Sequence, residues 1–154
     1  MKNYEFRKIT KEDYEYIYQL KKNAYKVYVE ANWGAWIEDD QRKYFKNFIE
    51  TYKDNTYIIV KDGEDVGFYN GEMLENGNYE VGNICIDEKH QGQGLGTKIL
   101  TDILEKYKDY DIEIQYFKQN RVGALYARLG FVPNGETKFH YQMIKNKRMK
   151  NIKK

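Results

Sequence analysis

The stretch Ile84-Cys85-Ile86-Asp87-Glu88-Lys89-His90-Gln91-Gly92-Gln93-Gly94-Leu95-Gly96-Thr97 decides the reading of this chain. A short apolar run with β-branched residues gives way to a loop with glycines at positions 92, 94 and 96. An amphipathic helix follows at once. Glycines lack a Cβ, so successive backbone N–H groups can converge on one point. The start of the helix adds unpaired N–H donors and a partial positive charge, and together these make a site for a phosphate or pyrophosphate. Two nucleotide-binding patterns fit poorly. A P-loop needs a Gly-Lys-Ser/Thr ending, whereas Thr97 separates Gly96 from Lys98 and no Ser or Thr follows that lysine. A dinucleotide fingerprint needs its third glycine one position later than Gly96. Asp111 lies about where a ribose-binding acid would sit, but only one strand–helix–strand unit surrounds it.

Outward from this loop, the pattern predicts strand, two helices, three strands, helix, strand, helix and two strands. Upstream, Tyr4–Ile9 reads as a strand and Thr10 as an N-cap. A helix then places Tyr14, Ile17, Leu20, Ala24 and Tyr28 on one stripe. A second helix from about Glu38 carries Tyr44, Phe45, Phe48, Ile49 and Tyr52. Thr56–Val60, Asp65–Met73 and Tyr79–Ile86 form a meander, with Asp62-Gly63 as a hairpin turn. Downstream, Gly96–Tyr107 is the clearest helix. Asp111–Phe117 is a strand, Asn120 opens a short helix ending at Gly130, and Phe131–Val132 and Phe139–Ile144 complete the sheet. The expected fold is α/β (α+β): a mixed, mostly antiparallel sheet of about six or seven strands flanked by about four helices.

At 154 residues the chain has the length of one domain. Residues 1–144 are expected to form it, with 145–154 as a basic, flexible tail. That tail, KNKRMKNIKK, carries six of the 26 basic residues; the remainder holds 20 against 24 acidic residues, so the body is mildly acidic despite a net charge of +2. An acidic body favours a cationic acceptor. The single cysteine, Cys85, excludes an internal disulfide and a multi-cysteine metal site, and fits a reducing, cytoplasmic setting. With no signal-like N-terminus and no run of 18 apolar residues, neither export nor a transmembrane helix is expected. Neither a metal nor a nucleic-acid partner is expected, and a homodimer is left open.

The spacing Gln91-x-x-Gly94-x-Gly96 resembles the Q/R-x-x-G-x-G/A signature of the GNAT superfamily of N-acetyltransferases. The later stretch Asn120-Arg121-Val122-Gly123-Ala124-Leu125-Tyr126-Ala127-Arg128-Leu129-Gly130-Phe131 is similar to another motif of that superfamily, most clearly at its [FL]-Y-x-x-x-G-F end. The order of elements agrees over nearly the whole chain. The resemblance implies acetyl transfer from acetyl-CoA to a primary amine of a small molecule or peptide, by direct attack in a ternary complex. The alternative is a catalytically silent acyl-CoA-binding regulatory module.

By that resemblance, the backbone of Gln91, Gly92, Gln93, Gly94, Leu95, Gly96 and Thr97 holds the CoA pyrophosphate. The main chain of Ile84, Cys85 and Ile86 pairs with the pantetheine arm, and Asn120 either reaches that arm or caps its helix. Tyr126 occupies the position whose hydroxyl protonates the departing sulfur. Glu80 matches the base of some members, with Glu72 or a water chain as rivals. Cys85 as an acetyl-enzyme nucleophile is disfavoured, since alternate side chains on a strand point oppositely and Ile86 is the one expected to face the donor. The acceptor wall is expected on the segment from Tyr25 to Asp40, with Tyr28, Trp33 and Trp36 as aromatic lining and Glu72 nearby. Either tryptophan could instead staple the two helices together.

Overall fold

The computed structural model describes residues 3–148. It contains seven strands, β1 (Glu5–Lys8), β2 (Thr56–Lys61), β3 (Glu64–Met73), β4 (Tyr79–Ile86), β5 (Ile112–Phe117), β6 (Val132–Glu136) and β7 (His140–Lys145). Four α-helices accompany them: α1 (Tyr14–Trp33), α2 (Glu38–Tyr52), α3 (Leu95–Lys106) and α4 (Gly123–Arg128). One sheet takes all seven strands in the order β1-β2-β3-β4-β5-β7-β6. The expected element order and mixed α/β sheet are therefore present, with seven strands and four helices. Packing divides the chain into two compact units, Met1–Gly71 with Asn83–Gly96, and Glu72–Gly82 with Thr97–Lys154.

In the first unit β1, β2 and β3 form an antiparallel meander. The β2–β3 turn uses positive φ at both Asp62 (53°) and Gly63 (76°), the twist that a two-residue hairpin requires. Apolar residues at three- and four-residue steps on α1 and α2 bury Ile17, Tyr18, Leu20, Phe45 and Ile49 over Ile58, Phe68 and Cys85. The start of α1 is pinned electrostatically. Arg7 on β1 makes a two-pronged contact with Asp13 at 2.8 and 3.0 Å, and also reaches Asp65 at 2.9 Å. Asp13 in turn accepts from the Thr10 backbone at 2.8 Å. These bonds hold the Asp13 carboxyl below the usual carboxylate range.

Helix α1 runs further than its sequence pattern suggests. The segment from Tyr25 to Asp40, expected to carry the acceptor wall, is helical as far as Trp33, five residues past the stripe's last member Tyr28, and again from Glu38. Only residues 34–37 connect the two helices. Lys26 pairs with Glu30 at 2.8 Å, and the Asn32 amide donates to the Tyr28 carbonyl at 2.9 Å, supporting the extra turns. Gly34, at φ 92°, closes the helix by donating to the Glu30 carbonyl.

In the second unit β5, β7 and β6 are antiparallel, and β4 joins β5 in parallel at Tyr79↔Ile112 and Glu80↔Glu113. Ile99, Leu100, Ile103 and Leu104 are buried on one side of α3. The Tyr107 ring stacks on Tyr79 at 3.7 Å. Strand β6 is exposed along its length. The basic tail begins later than its composition suggests. Lys145 is the last residue of β7, the Lys147 backbone donates to Asp111 at 2.7 Å, and that of Arg148 donates to the Lys108 carbonyl at 3.0 Å. The rest of the expected tail lies outside the described residues.

Candidate active site

The glycine loop belongs to the first unit. After β4, Asp87 accepts from the Lys89 backbone at 3.1 Å and sets a short turn over residues 88–90. The Gln91 side-chain amide then folds back and donates to the Ile86 carbonyl at 2.8 Å. Gly92 (φ 80°) and Gly94 (φ 78°) take the left-handed conformation that glycine alone adopts freely, and α3 starts at Leu95. Space is not what demands glycine there, because a Cβ at either position would meet nothing within 4 Å. The cradle is thus open to solvent, and the first N–H groups of α3 have no partner within the helix. Leu95 is buried, and Gly96 lies close to Ile86, where a Cβ would sit 3.7 Å from its Cγ1. Such an arrangement fits an anionic diphosphate approached by main-chain donors.

At the end of β4, Gly67 of β3 comes so close that a Cβ on it would be 2.3 Å from the Cys85 carbonyl oxygen. The Cys85 thiol is buried against α1, 3.8 Å from the Tyr25 hydroxyl. Tyr25 donates to the Asn83 amide oxygen, and Asn83 donates to that of Asn70 at 2.7 Å. Burial pushes the Cys85 thiol up to about 11, so it is protonated at neutral pH. His90, in the loop, places Nε2 3.4 Å from Glu64, and its buried Nδ1 finds no partner among the described residues.

The carboxylates and Tyr126 belong to the second unit. Glu80 on β4, half-buried beside Glu72 and Glu113, has its pKa raised, first by burial and then by those two like charges. Glu113 accepts from Asn78 at 2.7 Å and Asn76 at 3.1 Å. A hollow of about 70 Å³ is lined by Glu80, Glu113, Gln115, Asn134 and Gln142. Tyr126 on α4 meets Tyr116 edge-on at 5.6 Å and lies 5.8 Å from the Phe131 ring. Gly123, one turn before it, leaves room for the Tyr116 hydroxyl, which a Cβ would approach to 2.3 Å. Asn120 accepts from the Val122 backbone at 3.0 Å in a local turn ahead of α4, whose N-cap is Val122, so Asn120 does not cap that helix as one of its two readings expected.

The aromatic residues expected around the acceptor part company. Trp36 is packed against the first unit's core, and its indole donates to Glu38 at 3.1 Å. Glu38 also accepts from Tyr18 at 2.8 Å, Lys22 at 2.9 Å and Arg42 at 3.0 Å, and these donors hold it down to about 2. Trp36 therefore staples α1 to α2. Trp33 remains 53% exposed at the end of α1, and Tyr28 is half-buried on the same helix. Sequence reasoning missed Lys21, Tyr25, Asn70, Asn83 and Glu113. A lysine inside the apolar stripe of α1 was the one available signal. Glu113 was invisible, because a parallel register leaves no mark in sequence. Among the described residues no cluster of His, Cys, Asp or Glu could hold a metal ion, and no helix is long and apolar enough to cross a membrane.

A strand, a braced glycine loop and a helix start thus sit on one mixed seven-stranded sheet. A model of the acetyltransferase (GNAT) domain matches residues 53–133. A spermine/spermidine N(1)-acetyltransferase of Bacillus subtilis is 35% identical over 121 residues, covering 61% of this chain and 80% of that protein. A histone acetyltransferase-type structure from Corynebacterium glutamicum superposes with a TM-score of 0.72 at 19% identity, covering 98% of this chain and all of that one (100%). An N-acetyltransferase from Thermoplasma acidophilum, solved in complex with coenzyme A, gives 0.67 at 18% identity, covering 94% and 99%. The chain belongs to the GNAT acetyltransferase family and is an N-acetyltransferase.

Proposed function

We propose that this enzyme transfers the acetyl group of acetyl-CoA to a primary amine of a small polycation, by direct attack in a ternary complex. The observation that carries the donor assignment is the loop from Gln91 to Thr97, held open by its glycines and leading straight into α3. Its main-chain amides bind the diphosphate, and the main chain at Ile84–Ile86 pairs with the amides of the pantetheine arm. The short parallel ladder between β4 and β5 supports that pairing. Tyr126 gives its proton to the departing sulfur. Glu80 takes the proton of the acceptor ammonium, directly or through water, because burial and two neighbouring carboxylates have raised its affinity for one. Glu72 and Glu113 add negative charge that attracts a polycation. The relative that acts on spermine and spermidine by name supports the same acceptor class. Cys85, protonated and enclosed, takes no part as a nucleophile.

A thiol-release assay tests this directly, with acetyl-CoA as donor and spermidine, simple monoamines and lysine peptides as acceptors. Spermidine should be turned over fastest. Gly94→Glu, which strains the loop and places a carboxylate where the diphosphate belongs, should abolish both turnover and the rise in Tm caused by acetyl-CoA. Turnover of lysine peptides alone would refute the acceptor class. An unchanged thermal shift in the Gly94 variant would refute the loop assignment.

A further inference from the structure

Gly123 opens α4 without a backbone reason to be glycine. Its φ is not positive, unlike those of Gly92 and Gly94, and glycine in a helix loses more conformational freedom than alanine does. Space is what demands it. A Cβ there would lie 2.3 Å from the Tyr116 hydroxyl oxygen and 3.0 Å from the ring carbon that bears it, short of ordinary contact by about 1 Å at the oxygen. The Tyr116 hydroxyl makes no hydrogen bond among the described residues, so packing alone sets its place. On β5, Tyr116 is the register partner of Tyr141 on β7, and the two rings lie 5.8 Å apart. Its other aromatic neighbour is Tyr126, met edge-on at 5.6 Å. Tyr126 comes three residues after Gly123 on the same helix, and helical side chains lean back over the preceding turn, here the one that starts at Gly123. The Tyr126 main chain is fixed on both sides, donating to the Val122 carbonyl at 3.2 Å and accepting from the Phe131 N–H at 3.0 Å. The notch, the Tyr116 ring seated in it and the Tyr126 ring against that one therefore form a single chain of contacts.

We propose that Tyr116 is a positioning residue for acetyl transfer: its ring, seated by its hydroxyl in the Gly123 notch, sets where the Tyr126 hydroxyl stands. The inference rests on the acid role given to Tyr126 above. Filling the notch forces one of two movements. Either the Tyr116 ring tips and its edge contact with Tyr126 changes, or α4 lifts from β5 and carries Tyr126 with it. A proton passes to the departing sulfur only from within hydrogen-bond reach, so a displacement of about 1 Å costs rate. Donor affinity is untouched, because the loop from Gln91 to Thr97 contains neither tyrosine.

The test is steady-state thiol release by the full-length protein, with acetyl-CoA and the best of the acceptors named above. Gly123→Ala should lower kcat by about 10- to 100-fold, with KM for acetyl-CoA and the acetyl-CoA thermal shift unchanged. Adding Tyr116→Phe removes the oxygen that the new methyl strikes, and should restore most of the lost kcat. In a Tyr126→Phe background Gly123→Ala should cost nothing further, since there is no longer a hydroxyl to place. Tyr116→Leu empties the space instead of crowding it and should also lower kcat; it decides the matter should Gly123→Ala fail to fold. Wild-type kcat in either variant, no rescue by Tyr116→Phe, or an undiminished loss in the Tyr126→Phe background would overturn the inference. Those outcomes leave the acid role standing as long as Tyr126→Phe alone is slow. Normal turnover by Tyr126→Phe would remove the acid role, and the inference with it.

Discussion

Replacing Lys21 with methionine should make the protein more stable, and the size of the gain follows from its surroundings. The amine is held at about 8, against an ordinary value of 10.5, chiefly by burial. Each tenfold change in proton affinity is about 1.4 kcal/mol, so carrying the charge at neutral pH costs the fold about 3 kcal/mol. Methionine has similar length, no charge and a preference for aromatic surroundings, so it should recover most of that. For a chain of this size the gain corresponds to a rise in Tm of roughly 6–12 °C. The pH dependence supplies an independent check. The unfolded chain binds a proton here up to about 10.5 while the folded one releases it near 8, so wild-type stability should rise with pH between those values. The gap between wild type and Lys21→Met should close over the same window. Thermal unfolding followed by circular dichroism from pH 6 to 10.5 reads both. Equal Tm values at pH 7, or a gap that stays constant with pH, would refute the reasoning, because the ammonium would then be well solvated.

Tyr126→Phe should lower kcat by about 100-fold with little change in the acetyl-CoA thermal shift, measured by steady-state thiol release; normal turnover would remove the acid role. Glu80→Gln should remove the acidic limb of the pH profile of kcat/KM. The raised carboxyl must lose its proton to act, so wild-type rates should fall as pH drops through a value above the ordinary 4.5. Persistence of that limb would point to Glu72 or solvent. Gly67→Ala should destabilise by about 2 kcal/mol in urea unfolding, since its Cβ would press on the Cys85 carbonyl oxygen, and a neutral result would mean that β3 and β4 separate freely.

Much of this architecture was legible because its signals are local. Three glycines at alternate positions, the Asp62-Gly63 pair and the stripes on α1–α3 each fix a backbone conformation over a few residues. The stripe on α1 was followed only to Tyr28 because later residues weaken a helical pattern, Val29 for its branching and Trp33-Gly34 for its resemblance to a turn. Side-chain bonds from Lys26 and Asn32 sustain the helix there. Trp36 could not be separated from Trp33 by sequence, because the difference lies in Glu38, whose four donors gather only after folding. The raised Glu80 depends likewise on Glu113, brought opposite by a strand pairing that no spacing foretells.

On the proposed donor assignment, the fold-back of Gln91 bears on how tightly acetyl-CoA is held. With its side chain tied to the last carbonyl of β4, the segment is immobilised before any guest arrives, and the entropy of ordering it was lost during folding. Shortening that tether by one methylene, as in Gln91→Asn, would leave every main-chain donor in place and still loosen the grip. Affinity here is therefore a matter of stiffness as much as of contacts.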